Sequence, residues 1–113
     1  MSDQADSLAL RLAPYRRAPG MRAALLISHD GFVVAADAEP GFHTEAVAAQ
    51  VAGAIDLGAR LAGELDQPPA KYVSLEFEAL NVVLAPFGQE LMLVLVGAPD
   101  ALVCDYRLIT NGA

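Results

Sequence analysis

Apolar residues near the start of the chain recur at helical spacing. Leu8, Leu12 and Tyr15 are separated by steps of four and three, which is typical of one face of an amphipathic helix. Pro14 falls inside this pattern, and proline interrupts the hydrogen-bond ladder of a helix. The Pro19-Gly20 pair closes the segment. The first element is therefore predicted to be a short helix, kinked at the proline.

Two β-prone runs follow, and a short polar segment separates them. The runs cover residues 22–28 and 32–37, and His29-Asp30-Gly31 joins them. Asp-Gly is the dipeptide that a tight type I′ turn requires. The sequence therefore predicts a β-hairpin with a turn of that type.

A single long helix is predicted over residues 44–65. Its apolar residues recur in steps of three and four, and Glu45 lies in the first turn, where the helix dipole favours an anion. Pro68 and Pro69 follow it, and two prolines cannot continue the hydrogen-bond ladder. The expected core stripe consists of Val47, Val51, Ile55, Gly58, Ala62 and Leu65.

Three strands are predicted in the second half of the chain. Residues 72–78 alternate between polar and apolar, which indicates a half-covered strand at the edge of a sheet. Residues 82–87 form the next predicted strand. Residues 91–96 are apolar throughout, as are residues 23–27 of the hairpin, so both segments are expected to be central strands buried on two faces.

These elements combine into a single α+β domain over residues 1–113. The expected sheet has five antiparallel strands, with the long helix on one face and short terminal helices on the other. The last helix is predicted after Gly97, where Asp100 can cap a segment that carries Leu102, Val103 and Tyr106. A chain of 113 residues with 55% hydrophobic content is expected to form one compact domain and is too small for two.

Charge and cysteine content exclude several classes of partner. Seven basic residues against 14 acidic ones give a net charge of −7, which repels nucleic acid and anionic bilayers. Cys104 is the only cysteine, so a disulfide within the chain is ruled out and the cytoplasm is the expected location. The acidic start lacks the features of a secretion signal, and no apolar run approaches the roughly 20 residues of a membrane span.

Candidate catalytic groups in the sequence all have simpler interpretations. Ser28-His29-Asp30 holds the residue types of a nucleophilic triad, but neighbours along a strand end point to alternate faces. Glu76 and Glu78 share one face of the edge strand, where charges protect the edge from unwanted pairing. Lys71 follows prolines rather than a glycine-rich phosphate loop. We therefore expect no enzyme activity, no metal site and no cofactor.

Small residues cover the long helix opposite its core stripe, where long charged residues are usual. Alanine is simply a good helix former, and Asp56 and Arg60 form an ordinary i, i+4 pair. Gly53 and Gly63 are harder to explain, because each glycine costs up to about 1 kcal/mol relative to alanine. A close approach by a second macromolecule would explain them. This face consists of Glu45, Ala46, Ala49, Gly53, Asp56, Arg60 and Gly63, with Ala48, Ala52 and Ala59 alongside.

The edge strand gives an independent reason to expect a partner. Its unpaired backbone groups can be satisfied by the same strand of a second copy, and isologous pairing of this kind produces a symmetric dimer. The residues predicted at the dimer interface are Ala49, Gly53, Asp56, Arg60, Gly63, Tyr72, Ser74, Leu75 and Glu76.

Several short segments occur in a particular order along the chain. They are Pro19-Gly20-Met21, the hairpin at residues 24–35, Ala48-Ala49 on the long helix, and residues 82–87 followed by 91–96. In this order and spacing they resemble the roadblock/dynein-light-chain family over nearly the whole chain. The resemblance implies a homodimer that extends its sheet through the third strands and places its long helices side by side.

Within that family, the chain resembles the bacterial MglB-type members. This implies a non-enzymatic regulator or docking module for a small Ras-like GTPase, which acts by contact with the switch regions. Arg60 is poorly suited as an arginine finger, because it is fixed on a helix and paired with Asp56. Two alternatives stay open: an assembly scaffold without nucleotide-state preference, and a small-ligand sensor. The candidate GTPase contacts are Glu45, Ala46, Gln50, Leu57 and Glu64.

Overall fold

The computed structural model describes residues 2–101, with side chains from Ser7 onward. All five strands form one sheet in the order β2-β1-β5-β4-β3, and each neighbouring pair is antiparallel. The predicted α+β fold is therefore confirmed. The elements are α1 (Ser2–Arg17), β1 (Met21–Ser28), β2 (Val33–Ala38), α2 (Thr44–Glu64), β3 (Val73–Glu76), β4 (Asn81–Phe87) and β5 (Leu91–Gly97).

The two strands with continuous apolar runs, β1 and β5, lie next to each other in the middle of the sheet. Residues 23–27 and 92–96 are all buried, because alternate side chains enter two separate cores. One core lies under α1 and contains the fully buried Leu12 and Leu26. The other lies under α2 and contains Ala48 and Leu25. The helices thus cover opposite faces, as the continuous runs predict.

Helix α1 continues through Pro14 and is 16 residues long, so the prediction of a short helix was wrong. Proline lacks the N–H that would bond the carbonyl of Leu10, four positions earlier. Both residues lie on the exposed side of the helix, where water can bond that carbonyl. The opposite side is held by Leu12 and by Arg16, whose guanidinium donates a hydrogen bond to the backbone carbonyl of Met21 at 3.2 Å.

The β1–β2 hairpin is present, but its turn is not type I′. Gly31 has a φ of +91°, whereas Asp30 keeps a negative φ, and a type I′ turn requires positive values at both central residues. The N–H of Gly31 donates to the carbonyl of Ser28 at 3.0 Å, and the N–H of Ser28 donates to the carbonyl of Phe32 at 2.9 Å. These bonds define a three-residue loop that ends in a left-handed glycine.

The hairpin loop lies directly against α2. A Cβ added at Gly31 would lie 3.1 Å from the Cβ of Ala52 and 3.3 Å from the carbonyl oxygen of Ala48. Ala48 is fully buried and Ala52 is half-buried, so these two alanines belong to the packed side of α2 rather than to its exposed face. Glycine at position 31 therefore sets how closely the hairpin and the helix approach.

Substitution of Gly31 by alanine is expected to destabilise the fold by more than backbone strain alone. The left-handed conformation costs about 1–2 kcal/mol for a residue with a Cβ, and crowding against Ala52 adds to that cost. Gly88→Ala is the matched control, because Gly88 has a φ of +72° with nothing within 4 Å of an added Cβ. Urea unfolding midpoints of the two variants should differ, and equal midpoints would contradict the close approach at Gly31.

The last predicted helix lies mostly outside the described residues. Residues 99–101 are helical, and Ala101 is buried in the core under α1. The predictions for Leu102, Val103, Cys104 and Tyr106 concern residues that the structure does not describe. Strand β3 is shorter than its predicted range of 72–78, and it lies at the edge of the sheet as expected.

Candidate interaction surface on helix α2 and strand β3

Helix α2 carries a second apolar stripe that its own sheet does not cover. Leu57 is 62% exposed and Leu61 is 55% exposed, although they lie within the long helix. Leu65, which the sequence placed in the core stripe, directly follows the helix and is also exposed. That placement of Leu65 was wrong. Residues four positions apart lie one above another on a helix, so the three leucines form a continuous stripe.

Contacts on both sides of α2 show which way this stripe faces. Ala52 contacts the β1–β2 hairpin, and Leu61 lies nine residues further along, half a turn away around the helix axis. A Cβ added at Gly58 would lie 3.9 Å from a methyl group of Val73 in β3. The flank that carries Leu57 and Leu61 is therefore on the β3 side of the helix, above the open edge of the sheet.

The distance of 3.9 Å between an added Cβ at Gly58 and Val73 contradicts the role that the sequence predicted for this glycine. The sequence placed Gly58 in the core stripe as a residue that lets the helix approach its own sheet. A separation of 3.9 Å is ordinary van der Waals contact, so the packing of α2 on the sheet does not require glycine there.

Strand β3 adds apolar side chains to the same side of the molecule. Val73 packs against the core under α2, and Leu75 shares its face by strand alternation. Leu75 is 38% exposed, and Phe77, immediately after the strand, is 61% exposed. We name the group of Leu57, Leu61, Leu75 and Phe77, together with the free edge of β3, the α2–β3 surface.

The backbone of β3 alternates between its neighbour β4 and the open edge. The N–H of Phe77 donates to the carbonyl of Leu80 at 2.7 Å, which continues the β3–β4 register by one pair. In an antiparallel ladder the hydrogen-bonded residues alternate, so Val73 and Leu75 also direct their backbone groups toward β4. Ser74 and Glu76 consequently direct their N–H and C=O groups toward the edge, which no described strand covers.

The small-residue face predicted from the sequence is exposed as expected. An added Cβ at Gly53 or Gly63 would meet nothing within 4 Å. Asp56 and Arg60 form an ion pair of 3.2 Å on this face, with both side chains largely exposed. Packing among the residues that the structure describes thus explains neither glycine. The exposed residues on this face are Glu45, Ala46, Ala49, Gly53, Asp56, Arg60 and Gly63.

The other predicted site residues are exposed as well, but they divide between different parts of the surface. Gln50 and Leu57 lie on the flank of α2 above β3, and Glu64 lies between that flank and the small-residue face. Tyr72, Ser74, Leu75 and Glu76 lie along β3. The assignments to a dimer interface and to GTPase contacts stay predictions.

Leu61 and Phe77 are surface residues that the sequence reasoning did not assign to a site. The signal for Leu61 was its position four residues after Leu57, which defines a second stripe beside the core stripe. The signal for Phe77 was its place in the apolar alternation of the edge strand. Neither signal indicates which of two apolar stripes a sheet will bury.

A shallow depression on α2 bears on the small-ligand alternative. Its volume is about 510 Å³, and it is lined by Leu57, Arg60, Leu61, Gly63 and Glu64. It is open to solvent along one helix, whereas ligand pockets enclose most of their ligand's surface. This depression therefore lacks the enclosed shape of a small-ligand pocket.

Among the side chains that the structure describes, from residue 7 to residue 101, no group of three His, Cys, Asp or Glu is arranged to hold a metal ion. No helix within residues 2–101 combines the length and the apolar character needed to cross a membrane.

The chain is similar to one known protein family and to several solved structures. The family model for the Roadblock/LC7 domain matches residues 8–97. The gliding protein MglB from Thermus thermophilus is 26% identical, with a TM-score of 0.78 over 92% of this chain and 81% of that one. No curated protein sequence shows significant similarity to the chain.

Two further solved structures share the fold. An MglB with a tetrameric arrangement is 24% identical, with a TM-score of 0.78 over 93% of this chain and 84% of that one. A Roadblock/LC7 domain from Streptomyces avermitilis is 23% identical, with a TM-score of 0.76 over 93% and 88% of the respective chains. At this level of identity, these two structures show the shared fold alone.

Proposed function

Because the chain belongs to the Roadblock/LC7 domain family, we propose that it is a homodimeric, non-enzymatic regulator or docking module for a small Ras-like GTPase. The observation that carries this proposal is the α2–β3 surface, where exposed apolar side chains accompany a strand edge that no strand within the described residues covers. A matching surface removes exposed apolar groups from water and supplies hydrogen-bond partners to the backbone groups of an edge strand. A second copy of the chain supplies such a surface for both at once.

Self-association assigns different roles to the two sides of α2. The flank with Leu57 and Leu61 faces the second copy, and Gly53 is the small residue nearest to it. Asp56 and Arg60, which the sequence assigned to the dimer interface, remain on the outward side of the paired helices in this arrangement. Leu57, which the sequence assigned to GTPase contact, belongs with the dimer interface in this arrangement.

The GTPase then binds on the outward side of the paired helices. Glu45 and Ala46 lie in the first turn of α2 and are exposed there. Ala49, which the sequence assigned to the dimer interface, is also exposed and joins this outward side in the present arrangement. A small GTPase already carries its phosphate loop and magnesium, so a regulator acts by adding a charge or by ordering the switch loops. Where alanine and glycine lie, this face is smooth and has no long side chain that could enter the nucleotide site. We therefore favour the ordering of the switch loops by surface contact. The cytoplasmic location expected from the sequence is part of this proposal.

Arg60→Ala is expected to leave any acceleration of GTP hydrolysis unchanged. Arg60 is paired with Asp56 along the helix, so it is held at the surface rather than extended toward a bound nucleotide. An arginine finger contributes about 10³- to 10⁵-fold to the rate. Single-turnover hydrolysis by the Ras-like GTPase encoded nearest to this chain, with wild-type and variant dimer, measures the difference. A loss on that scale would show that Arg60 is a finger.

The assembly scaffold is the alternative that the same surface supports. A scaffold without nucleotide-state preference binds the GTP and GDP forms of the GTPase with equal affinity, or binds neither form. Calorimetric titration of the dimer with the GTPase in each state distinguishes the two proposals. Tighter binding of one state supports a regulator, equal binding supports a scaffold, and no binding in either state contradicts the regulator.

A further inference from the structure

The free edge of β3 restricts how a second copy can pair with it. Ser74 and Glu76 direct their backbone groups outward, whereas Val73 and Leu75 direct theirs toward β4. Residues directly opposite each other in an antiparallel pair are either both hydrogen-bonded or both not. An outward residue must therefore face an outward residue of the other copy.

Two-fold symmetry reduces the possible registers to three. In a symmetric antiparallel pair, one residue lies on the axis and faces its own counterpart. An axis at Ser74, Leu75 or Glu76 keeps most of β3 opposite the strand of the other copy. An axis outside these three positions sets β3 against the flanking loops, because the strand is only four residues long.

Charge argues against the register centred on Glu76. That register sets Glu76 directly opposite the partner's Glu76, and like charges in directly opposed positions are destabilising. The register centred on Leu75 instead sets Glu76 opposite the partner's Ser74, whose hydroxyl can donate to the carboxylate. Both side chains lie on the sheet face away from α2.

Apolar contact separates the two remaining registers. With Ser74 on the axis, Phe77 faces the partner's Lys71, and an aromatic ring that is 61% exposed stays at the end of the paired strands. With Leu75 on the axis, Leu75 faces the partner's Leu75, and Phe77 faces the partner's Val73. Val73 lies beneath Gly58 of its own α2. Each Phe77 then reaches the space below the Leu57–Leu61 flank of the other copy.

We propose that the two-fold axis of the dimer passes through Leu75, so that β3 pairs with the partner's β3 about that residue. This inference rests on the proposed self-association and specifies its geometry. It accounts for three exposed features together: the outward backbone groups of Ser74 and Glu76, the exposed Leu75, and the exposed Phe77.

Cysteine crosslinking of the full chain tests the register. Cys104→Ser removes the one native thiol, and Leu75→Cys, Ser74→Cys and Glu76→Cys are each added to that background. Directly opposed residues lie about 4.5–5.5 Å apart between Cα atoms, within the range of a disulfide. Residues offset by two positions lie about 7–8 Å apart, at or beyond its limit. Rapid disulfide formation is expected for Leu75→Cys, and little for the other two.

A separate measurement distinguishes a wrong register from a wrong interface. Sedimentation in reducing buffer establishes whether each variant is a dimer, and hydrogen exchange of the unsubstituted chain reports the β3 edge. The amides of Ser74 and Glu76 should gain protection as protein concentration rises, with little change at Leu75. Dimers that crosslink at Ser74 or Glu76 instead of Leu75 overturn the register alone. A monomer, or a dimer with unprotected Ser74 and Glu76, overturns both the register and the proposed interface.

Discussion

Replacement of Leu61 by aspartate is expected to convert the dimer into a folded monomer. In one copy of the chain Leu61 is 55% exposed, so a carboxylate there remains hydrated. In the dimer the same carboxylate would be enclosed by apolar groups without a partner, and burial of an unpaired charge is strongly unfavourable. Disruption of a central contact by about 2–4 kcal/mol weakens association by about 30- to 1,000-fold. Sedimentation velocity over a concentration series measures the shift.

Leu10→Asp is the matched control for this variant. Leu10 is also an exposed leucine within a helix, 74% accessible, but it lies on α1 at the opposite face of the sheet. Both substitutions change helix propensity by the same amount. Leu10→Asp should leave the dimer intact, and circular dichroism should show that both variants remain folded. Equal dimerisation of the two variants would contradict the role assigned to Leu61.

Leu12→Ala is expected to lower the free energy of unfolding by about 2–5 kcal/mol, the range for a truncated core leucine. Leu12 is fully buried against the sheet face that also contains Leu26 and Leu95. Truncation leaves a cavity that backbone movement fills only in part, because α1 is held by residues on either side of it. Urea unfolding at one fixed protein concentration gives the change.

The same helix supplies the control for Leu12→Ala. Leu10→Ala removes the same atoms from a side chain that is mostly in water, two positions away. Its effect on stability should stay below about 0.5 kcal/mol, as is usual for surface substitutions. If both alanine variants shift the unfolding midpoint alike, then α1 is not packed on the sheet in the way described.

The order of the elements and the centre of the sheet followed from the sequence, because each rests on a strong local pattern. Residues 91–96 are apolar at every position, which only a strand buried on both faces accommodates, and β5 is central. The long helix was predicted over residues 44–65 and is observed over Thr44–Glu64. Helical periodicity and the following prolines define its bounds within a residue.

The details that the sequence did not determine depend on contacts between elements. Asp30-Gly31 is compatible with more than one hairpin loop, and the observed loop has Gly31 against Ala52 of α2. Similarly, α2 has two apolar stripes, and spacing alone does not say which of them the sheet buries. The observed packing buries Val51 and leaves Leu57 exposed, so Leu57 belongs to the candidate α2–β3 surface rather than to the core.

The candidate site was predicted only in outline, because the sequence carries local signals for its parts but not for how they fit together. An edge strand and a helix with unexplained glycines are both local signals, and no other part of residues 7–101 covers Gly53, Gly63 or the edge of β3. That Leu57 and Leu61 adjoin this edge depends on the rotation of α2 over the sheet. The hairpin contact at Gly31 on one side and Val73 on the other define that rotation.

The central claim is that the α2–β3 surface is covered by a second copy of the chain. Sedimentation equilibrium of the unsubstituted protein, from nanomolar to micromolar concentration, tests it most directly. The account predicts a mass of twice 11.8 kDa, with dissociation only at the lowest concentrations. A mass of one chain throughout that range would contradict it.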